Sequence, residues 1–507
     1  MNMRDHRSRS GAGMLAALLA FTPAACAVGP DFQAPTPPAA QSYLPGPAPG
    51  PTSVADDRLG KSQNFDPAME IPGQWWTLFH SRSLNDLVER SLKKNPNLAA
   101  AQAALRQAME NVYAQQGAYY PQITGSFTAT RNKTATGSVS PASASGNPYY
   151  SLSTAQLNVS FTPDVFGLNQ RTVESLAAQA ENQRFQLEAT YLTLTSNVVA
   201  AAILEASLRA QIEATVATVK IEQDLTDLLR RQFALGQVAM GDVVAQEAAL
   251  AQAQQSLPPL QKQLAQQRDL ITALAGDFPA DEAAEHFDLA GFELPLLIPV
   301  SVPAALVEQR PDVRAAAETL HSASASIGVA IANRLPQFPL TALGGSQANK
   351  IADLFASGNG FWSLAAGITQ PIFEGGTLLH RQRAAVAAFD QASAQYQATV
   401  ISALQNVADS LRALQYDAET LKAAVAAADA ASRSLEISRT QVRLGAVSYL
   451  TILNAEQTFQ AAKLALAQAQ AGRLTDTAAL FQALGGGWWN RADVAEDTGP
   501  HGFFSLN

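Results

Sequence analysis

Apolar residues follow two regimes along this chain, and each regime is met twice. Long stretches place them three or four apart, as in Leu204, Leu208, Ile212, Val216 and Val219, the spacing of one helix face. Shorter stretches alternate, as where Leu157, Val159 and Phe161 interleave with Asn158, Ser160 and Thr162, the spacing of a strand with two unlike faces. From about Asn169 to Leu235 there is neither Pro nor Gly. At 1.5 Å per residue such a helix is on the order of 100 Å long. The stretch from about Thr377 to Leu444 repeats that length. Globular helices average about three turns, so helices this long need coiled-coil partners. Alanines such as Ala423, Ala424, Ala426, Ala427 and Ala430 let those partners approach closely.

The duplication extends beyond the helices. Pro96 to Pro121 and Pro311 to Pro336 have the same spacing of 25 residues, each Pro pair framing a helix that is followed by a strand. Phe233-Ala234-Leu235-Gly236-Gln237-Val238 matches Val442-Arg443-Leu444-Gly445-Ala446-Val447, where each Gly ends a long helix. Strands are expected over Gly125 to Arg131, Tyr150 to Phe161, Leu340 to Ser346 and Phe361 to Thr369. These are near the 9 to 11 residues that a membrane β-strand needs. Four strands do not close a membrane barrel, and an open edge in lipid leaves backbone groups unpaired. If they sit in a membrane, the chain must oligomerise.

Composition narrows the class. Of 507 residues only 15 % are charged, against roughly 25 % in ordinary soluble domains. The net charge of -9 and the absence of a basic tract argue against a nucleic-acid partner. The single cysteine, Cys26, excludes an internal disulfide and a thiolate metal cluster. It follows a basic start (Arg4, Arg7, Arg9), an apolar run from Met14 to Phe21, and Pro23-Ala24-Ala25. That arrangement resembles a lipoprotein signal in which Cys26 becomes the acylated N-terminus. Ala27, not Asp, follows it, which favours sorting to the outer membrane. No run of 18 or more apolar residues occurs later, so further membrane crossing is expected to use strands. A Pro-rich tract from Pro30 to Pro51 reads as an extended tether. The six histidines are scattered, and Gly485-Gly486-Gly487 lacks the Lys-Ser/Thr of a phosphate loop. No catalytic, metal or cofactor constellation emerges, and a non-enzyme is expected.

The Cys26-Ala27-Val28-Gly29-Pro30-Asp31-Phe32 start, Trp75-Trp76, Arg310-Pro311-Asp312-Val313, Gln370-Pro371-Ile372-Phe373-Glu374-Gly375-Gly376 and Ala483-Leu484-Gly485-Gly486-Gly487-Trp488 occur in a fixed order. In these motifs the chain resembles the TolC-like outer membrane factors, most closely the NodT or OprM-like lipoprotein group, over about residues 26 to 489. The resemblance implies a fold that is part membrane β-barrel and part α-helical barrel. It implies a homotrimer with a 12-stranded barrel in the outer membrane, a periplasmic coiled-coil tunnel and an α/β belt. It implies an exit duct for small toxic molecules or drugs, working with a periplasmic adapter protein and an inner-membrane pump. Cys26 would carry the lipid, with no other cofactor. The expected division is signal peptide 1–25, acylated N-terminus and tether 26–70, repeat one 71–289, repeat two 290–489 and tail 490–507.

By the same resemblance the Gly turns receive the adapter tips, through Leu235, Gly236 and Val238 in one copy and Leu444, Gly445 and Val447 in the other. Closed tips of such ducts are narrowed by acidic rings. Asp242 holds the matching place in copy one, whereas copy two has Thr451 and Asn454 there. Arg230, Arg231, Arg439 and Arg443 are candidates for gate contacts with Asp224, Asp227 or Tyr449. Glu247 and Glu456 match across the copies and read as exposed helix polarity. A duct for secreted protein or peptide, and a non-conducting periplasmic scaffold, are the alternatives.

Overall fold

The elements follow the duplicated order. In the computed structural model, which describes residues 27–40, 42–46, 49–133, 149–281 and 285–492, copy one begins earlier than expected, with β1 (Asn64–Asp66) inside the stretch expected as tether, and continues through α1 (Arg82–Lys94), α2 (Pro96–Gln116), β2 (Gln122–Lys133), β3 (Tyr149–Phe161), α3 (Leu168–Ala234) and α4 (Met240–Leu274). Copy two runs β4 (Leu297–Pro299), α5 (Pro303–Gln309), α6 (Pro311–Ala332), β5 (Leu340–Ala348), β6 (Gly360–Ala366), α7 (Thr377–Arg443) and α8 (Tyr449–Ala483). Helices α3 and α7 are both 67 residues long, and α4 and α8 are both 35. The lengths of the long helices are thus held although the two copies differ in most residues.

Helix and strand positions agree with the hydrophobic pattern to within a few residues. Pro96 and Pro311 open α2 and α6, where a missing N–H goes unneeded. Strand β6 stops at Ala366, shorter than expected, and Thr369 survives only as an isolated bridge to Gln337. The parallel pair β1 and β4 was not anticipated. Its three residues per strand are too few to show periodicity, and it is the pairing between copies that defines it. Helix α4 continues through Pro258 and Pro259, both exposed, despite the two lost amide donors.

Contacts divide the chain into two compact units, each drawing on both copies. The first contains Gln107–Glu181 and Glu318–Ala394 with residues 27–34. Its centre is an antiparallel sheet of order β2-β3-β5-β6. The β3–β5 pairing joins a hairpin from each copy, with Val159 opposite Ala342 and Leu157 opposite Gly344.

The second unit contains 35–106, Asn182–Ala317 and residues from Gln395 on. Its core gathers Leu84, Leu87, Val198, Ile203, Val407, Leu411, Leu474 and Phe481 around the buried pair Trp75 and Trp76. Trp75 stacks on Phe481 with ring centroids 5.5 Å apart. An 18-residue window of α3 is apolar enough to cross a bilayer by length and composition, with mean hydropathy 1.3. That apolarity has a local use, because 56 % of the window is buried and Leu194, Val198, Val199 and Ile203 belong to this core. Arg310 binds Asp312 through two bonds of 2.9 and 2.6 Å and donates to the Ala483 carbonyl at 3.0 Å, tying the start of α6 to the end of α8. Gly485, Gly486 and Gly487 all have positive φ, and a Cβ on Gly486 would meet Leu192 Cδ1 at 2.3 Å. That triplet is a chain reversal under tight packing.

Candidate functional site

Three features bear on function: the faces of the sheet, the strap that follows Cys26, and the two Gly turns. The first two belong to the first unit. In the sheet, one row runs Ile123, Val159, Ala342 and Leu364 across all four strands, and the next runs Gly125, Leu157, Gly344 and Trp362. Glycine sits beside the large Leu157 and Trp362, so bulky and small residues interlock. Ile123, Phe127, Leu157, Trp362 and Leu364 of this face are each more than half exposed. The opposite face carries Gln122, Thr124, Ser126, Gln156, Asn158, Ser160 and Thr341. Exposed apolar residues arranged as one continuous face fit lipid, and the polar face fits water. Strands β2 and β6 each leave one edge unpaired.

Cys26 itself lies outside the described residues, but the chain after it is firmly held. The Val28 amide donates to the Phe166 carbonyl at 3.1 Å. Arg171, buried near the start of α3, donates to Val28 O at 3.1 Å, to Asp31 at 2.6 Å and to Glu174 at 2.7 Å. Phe32 stacks on His321 at 4.3 Å, and that histidine contacts Glu174 at 3.1 Å. Gly29 has φ +98, and a Cβ there would lie 2.5 Å from Gly328 Cα, so only glycine permits this approach. The residue after Cys26 is therefore fixed close to where β3 leads into α3. The Asp-His-Glu-Arg network behind it could not be read from sequence, because Asp31 and His321 lie 140 and 147 residues from the Arg171 and Glu174 that they meet.

The Gly turns belong to the second unit and are nearly identical. Gly236 and Gly445 have φ +74 and +72, and nothing lies within 4 Å of a Cβ on either. In both, the Gly amide bonds the carbonyl three residues back, and the next amide bonds the one five back, at 2.9 Å each. This is a Schellman termination. Leu235 and Leu444 are 72 % and 75 % exposed, whereas Val238 and Val447 are half-buried. Asp242 is exposed in the first turn of α4, where its carboxylate accepts the Ala239 amide at 3.3 Å. Its counterparts in copy two differ, with Thr451 half-buried and Asn454 exposed in α8. The side chain of Tyr449 lies outside the described residues, as does the tail from residue 493.

One expected pair forms, Arg230 with Asp227, but the closest partners of the arginines lie elsewhere. Arg230 lies 3.7 Å from Asp227, but its close contact is Glu247 at 2.7 Å. Asp224 bonds Lys220 at 2.8 Å instead. Arg439 bonds Glu456 at 2.7 Å, while Arg231 and Arg443 are exposed and make no ion pair among the described residues. The two matched glutamates are thus not mere exposed polarity. Each bridges its hairpin to an arginine 17 residues earlier, and the Glu456 side chain is only 3 % exposed. Pairing across a hairpin depends on helix rotation, which a linear spacing does not reveal.

Deeper in the same unit, Glu222 and Gln246 are buried and hydrogen-bonded to each other. Arg473 is fully buried, donating to Thr52 at 2.9 Å and to Lys61 O at 2.7 Å. Beside it the Asp417 carboxyl is pushed up to about 7, first by burial and then by its hydrogen bond to Asp476. Among the described residues no group of three His, Cys, Asp or Glu side chains is placed to hold a metal ion.

The antibiotic efflux pump outer membrane protein ArpC of Pseudomonas putida is 28 % identical over 485 residues, which is 94 % of this chain and 96 % of that one. OprJ, an outer membrane protein of Pseudomonas aeruginosa, is 26 % identical over 94 % of this chain and 96 % of its own. The solved outer-membrane channel OprN matches with a TM-score of 0.80 at 26 % identity, covering 91 % of this chain and 100 % of that one. The CmeC outer membrane channel of Campylobacter jejuni shares the fold, with a TM-score of 0.83 at 22 % identity over 93 % and 97 % of the two chains. A family model for outer membrane efflux proteins matches residues 87–277 and 302–486, one match per repeat, and the chain belongs to that family.

Proposed function

We propose that three copies of this chain join their sheets edge to edge into a 12-stranded outer-membrane barrel, and that the assembly is the passive exit duct of a tripartite efflux system. The observation that carries this reading is the four-stranded sheet, with one exposed apolar face and two unpaired edges. In lipid those edges must pair, and a second copy offers the complementary strand. Helices α3 and α7 then reach on the order of 100 Å into the periplasm, a length set by 67 residues each. Cys26 carries the lipid anchor, and the strap from Ala27 to Phe32 holds that anchor at the foot of the strands. Exposed Leu235 and Leu444 at the Gly turns receive a periplasmic adapter, and an inner-membrane pump supplies the energy. The duct makes and breaks no bonds. Its cargo is small toxic molecules, in keeping with the antibiotic efflux named for ArpC.

The test is single-channel recording from purified, acylated protein in a planar bilayer. Small, stable conductance steps from heat-resistant trimers are expected. Trimers that stay silent even after Arg439→Ala loosens a hairpin would overturn conduction and leave a scaffold. Deletion of the gene is expected to raise susceptibility across a drug panel without loss of secreted proteins.

A further inference from the structure

The two helical hairpins share a backbone plan but not an interior. In the first, Glu222 on α3 and Gln246 on α4 are 2 % and 1 % exposed, and the Gln246 amide donates to the Glu222 carboxylate and to the Glu222 carbonyl. The equivalent places in the second hairpin, counted from the Gly turns, are Ala431 and Ala455. Glu456 on α8 is 2 % exposed, with one carboxylate oxygen held by Arg439 of α7. Two buried oxygens, Gln246 Oε1 and Glu456 Oε2, have no hydrogen-bond donor among the described residues. Both are acceptors, so a proton on a carboxyl supplies what a further carboxylate would not. Burial pushes the Glu456 carboxyl up, against the opposing pull of Arg439. Burial likewise pushes Glu222 up, against the hydrogen bond from Gln246, and the charge of Glu456 adds to the rise. Glu456 lines one cavity with Thr218 and Ile221, the turn of α3 that leads to Glu222, so the second hairpin packs on the first at this level.

We propose that Glu222 and Glu456 form a proton-dependent latch between the two hairpins, which keeps them packed while one carboxyl is protonated and drives them apart when both are ionised. The proposal rests on reading these hairpins as the closed periplasmic end of the duct. The other charges around the latch do not cancel it. From α7 comes Arg439, one cation for two carboxyls. On α8, Lys463 lines the same cavity of about 60 Å³ as Glu456, but its Nζ sits over the Phe459 ring at 5.2 Å. On the first hairpin, Glu247 is already paired with Arg230. A bound cation fits less well, because Arg439 and the Gln246 NH₂ already turn positive charge toward the carboxylates.

The sign follows from linkage. Both carboxyls bind protons more tightly in the packed state than when hydrated, so packing is fully supported below the ordinary carboxylate range. That support is lost as pH rises through the raised values, and the hairpins part at higher pH. Each unit of upward shift is worth about tenfold in the open-to-packed ratio.

The test uses acylated trimers with Leu235→Cys and Leu444→Cys, sparsely nitroxide-labelled, with turn-to-turn distance measured by pulsed electron paramagnetic resonance in a pH series that starts in the ordinary carboxylate range and rises until the trimers lose stability. Unlabelled trimers are recorded in planar bilayers over the same range. Distance and open probability are both expected to rise with pH. Glu222→Gln keeps the hydrogen bond but loses the charge and is expected to flatten both curves. Glu222→Ala, which copies Ala431, is expected to hold the hairpins packed throughout. The latch is overturned if Glu222→Gln and Glu456→Gln respond to pH as the parent does, if Asp242→Asn alone abolishes the response, or if a divalent cation at fixed pH reproduces the effect of acid. Turns that move with pH in silent trimers would sink the duct reading and leave the latch standing. Conducting trimers indifferent to pH would sink the latch alone.

Discussion

The two hairpins end in the same turn and carry the same bridge, yet one bridge is open to water and the other is closed in. Arg230 and Glu247 are 54 % and 39 % exposed at their side chains, whereas Arg439 is 45 % exposed and Glu456 only 3 %. Duplication preserved the backbone geometry and the arginine-glutamate spacing. The surroundings then gave matched pairs different weights, because an ion pair's contribution depends on how much water its members lose.

The sharpest way to break this comparison is to remove each arginine in turn. Arg439→Ala strands the buried Glu456 carboxylate and is expected to destabilise the second hairpin by about 2–3 kcal/mol, below the full value for a buried pair because Arg439 is half-exposed. Arg230→Ala leaves a hydrated Glu247, and about 0.2–1 kcal/mol is expected. Hydrogen exchange in α7–α8 and in α3–α4, followed by mass spectrometry, reads both. Equal loss of protection would mean that burial does not separate the pairs.

The turns should behave alike where the bridges do not. Gly236→Ala and Gly445→Ala each place a side chain at positive φ in open space, so strain alone acts, and about 1 kcal/mol is expected for each. Unequal exchange at the two turns would show a hidden difference in their packing. The smallest effect expected is on ion preference. Asp242→Asn removes an exposed carboxylate that copy two already lacks, and a modest fall in cation selectivity, without loss of conductance, is expected in reversal-potential measurements. An unchanged reversal potential would place Asp242 away from the ion path.

Much of the fold was legible because its signals are long. A Pro-free and Gly-free run defines α3 and α7 almost to the residue, and alternation at Leu157, Val159 and Phe161 identifies the face of β3 that the sheet leaves bare. The turn glycines were legible as well, since each stands where a long helix must end. The strap was not, although Gly29 and Arg171 hold it, because the residues they meet are far away in sequence. Nor were Glu222, Gln246 and Arg473, polar residues whose burial no local pattern signals.

Sequence alone determined the lengths of the long helices, the duplication, the alternation of the strands and the glycine stops, all set by local sterics and by the period of helix or strand. Tertiary structure decided which polar residues lose their water. That outcome depends on the rotation of each helix against its neighbours, and it separates Glu456 from Glu247.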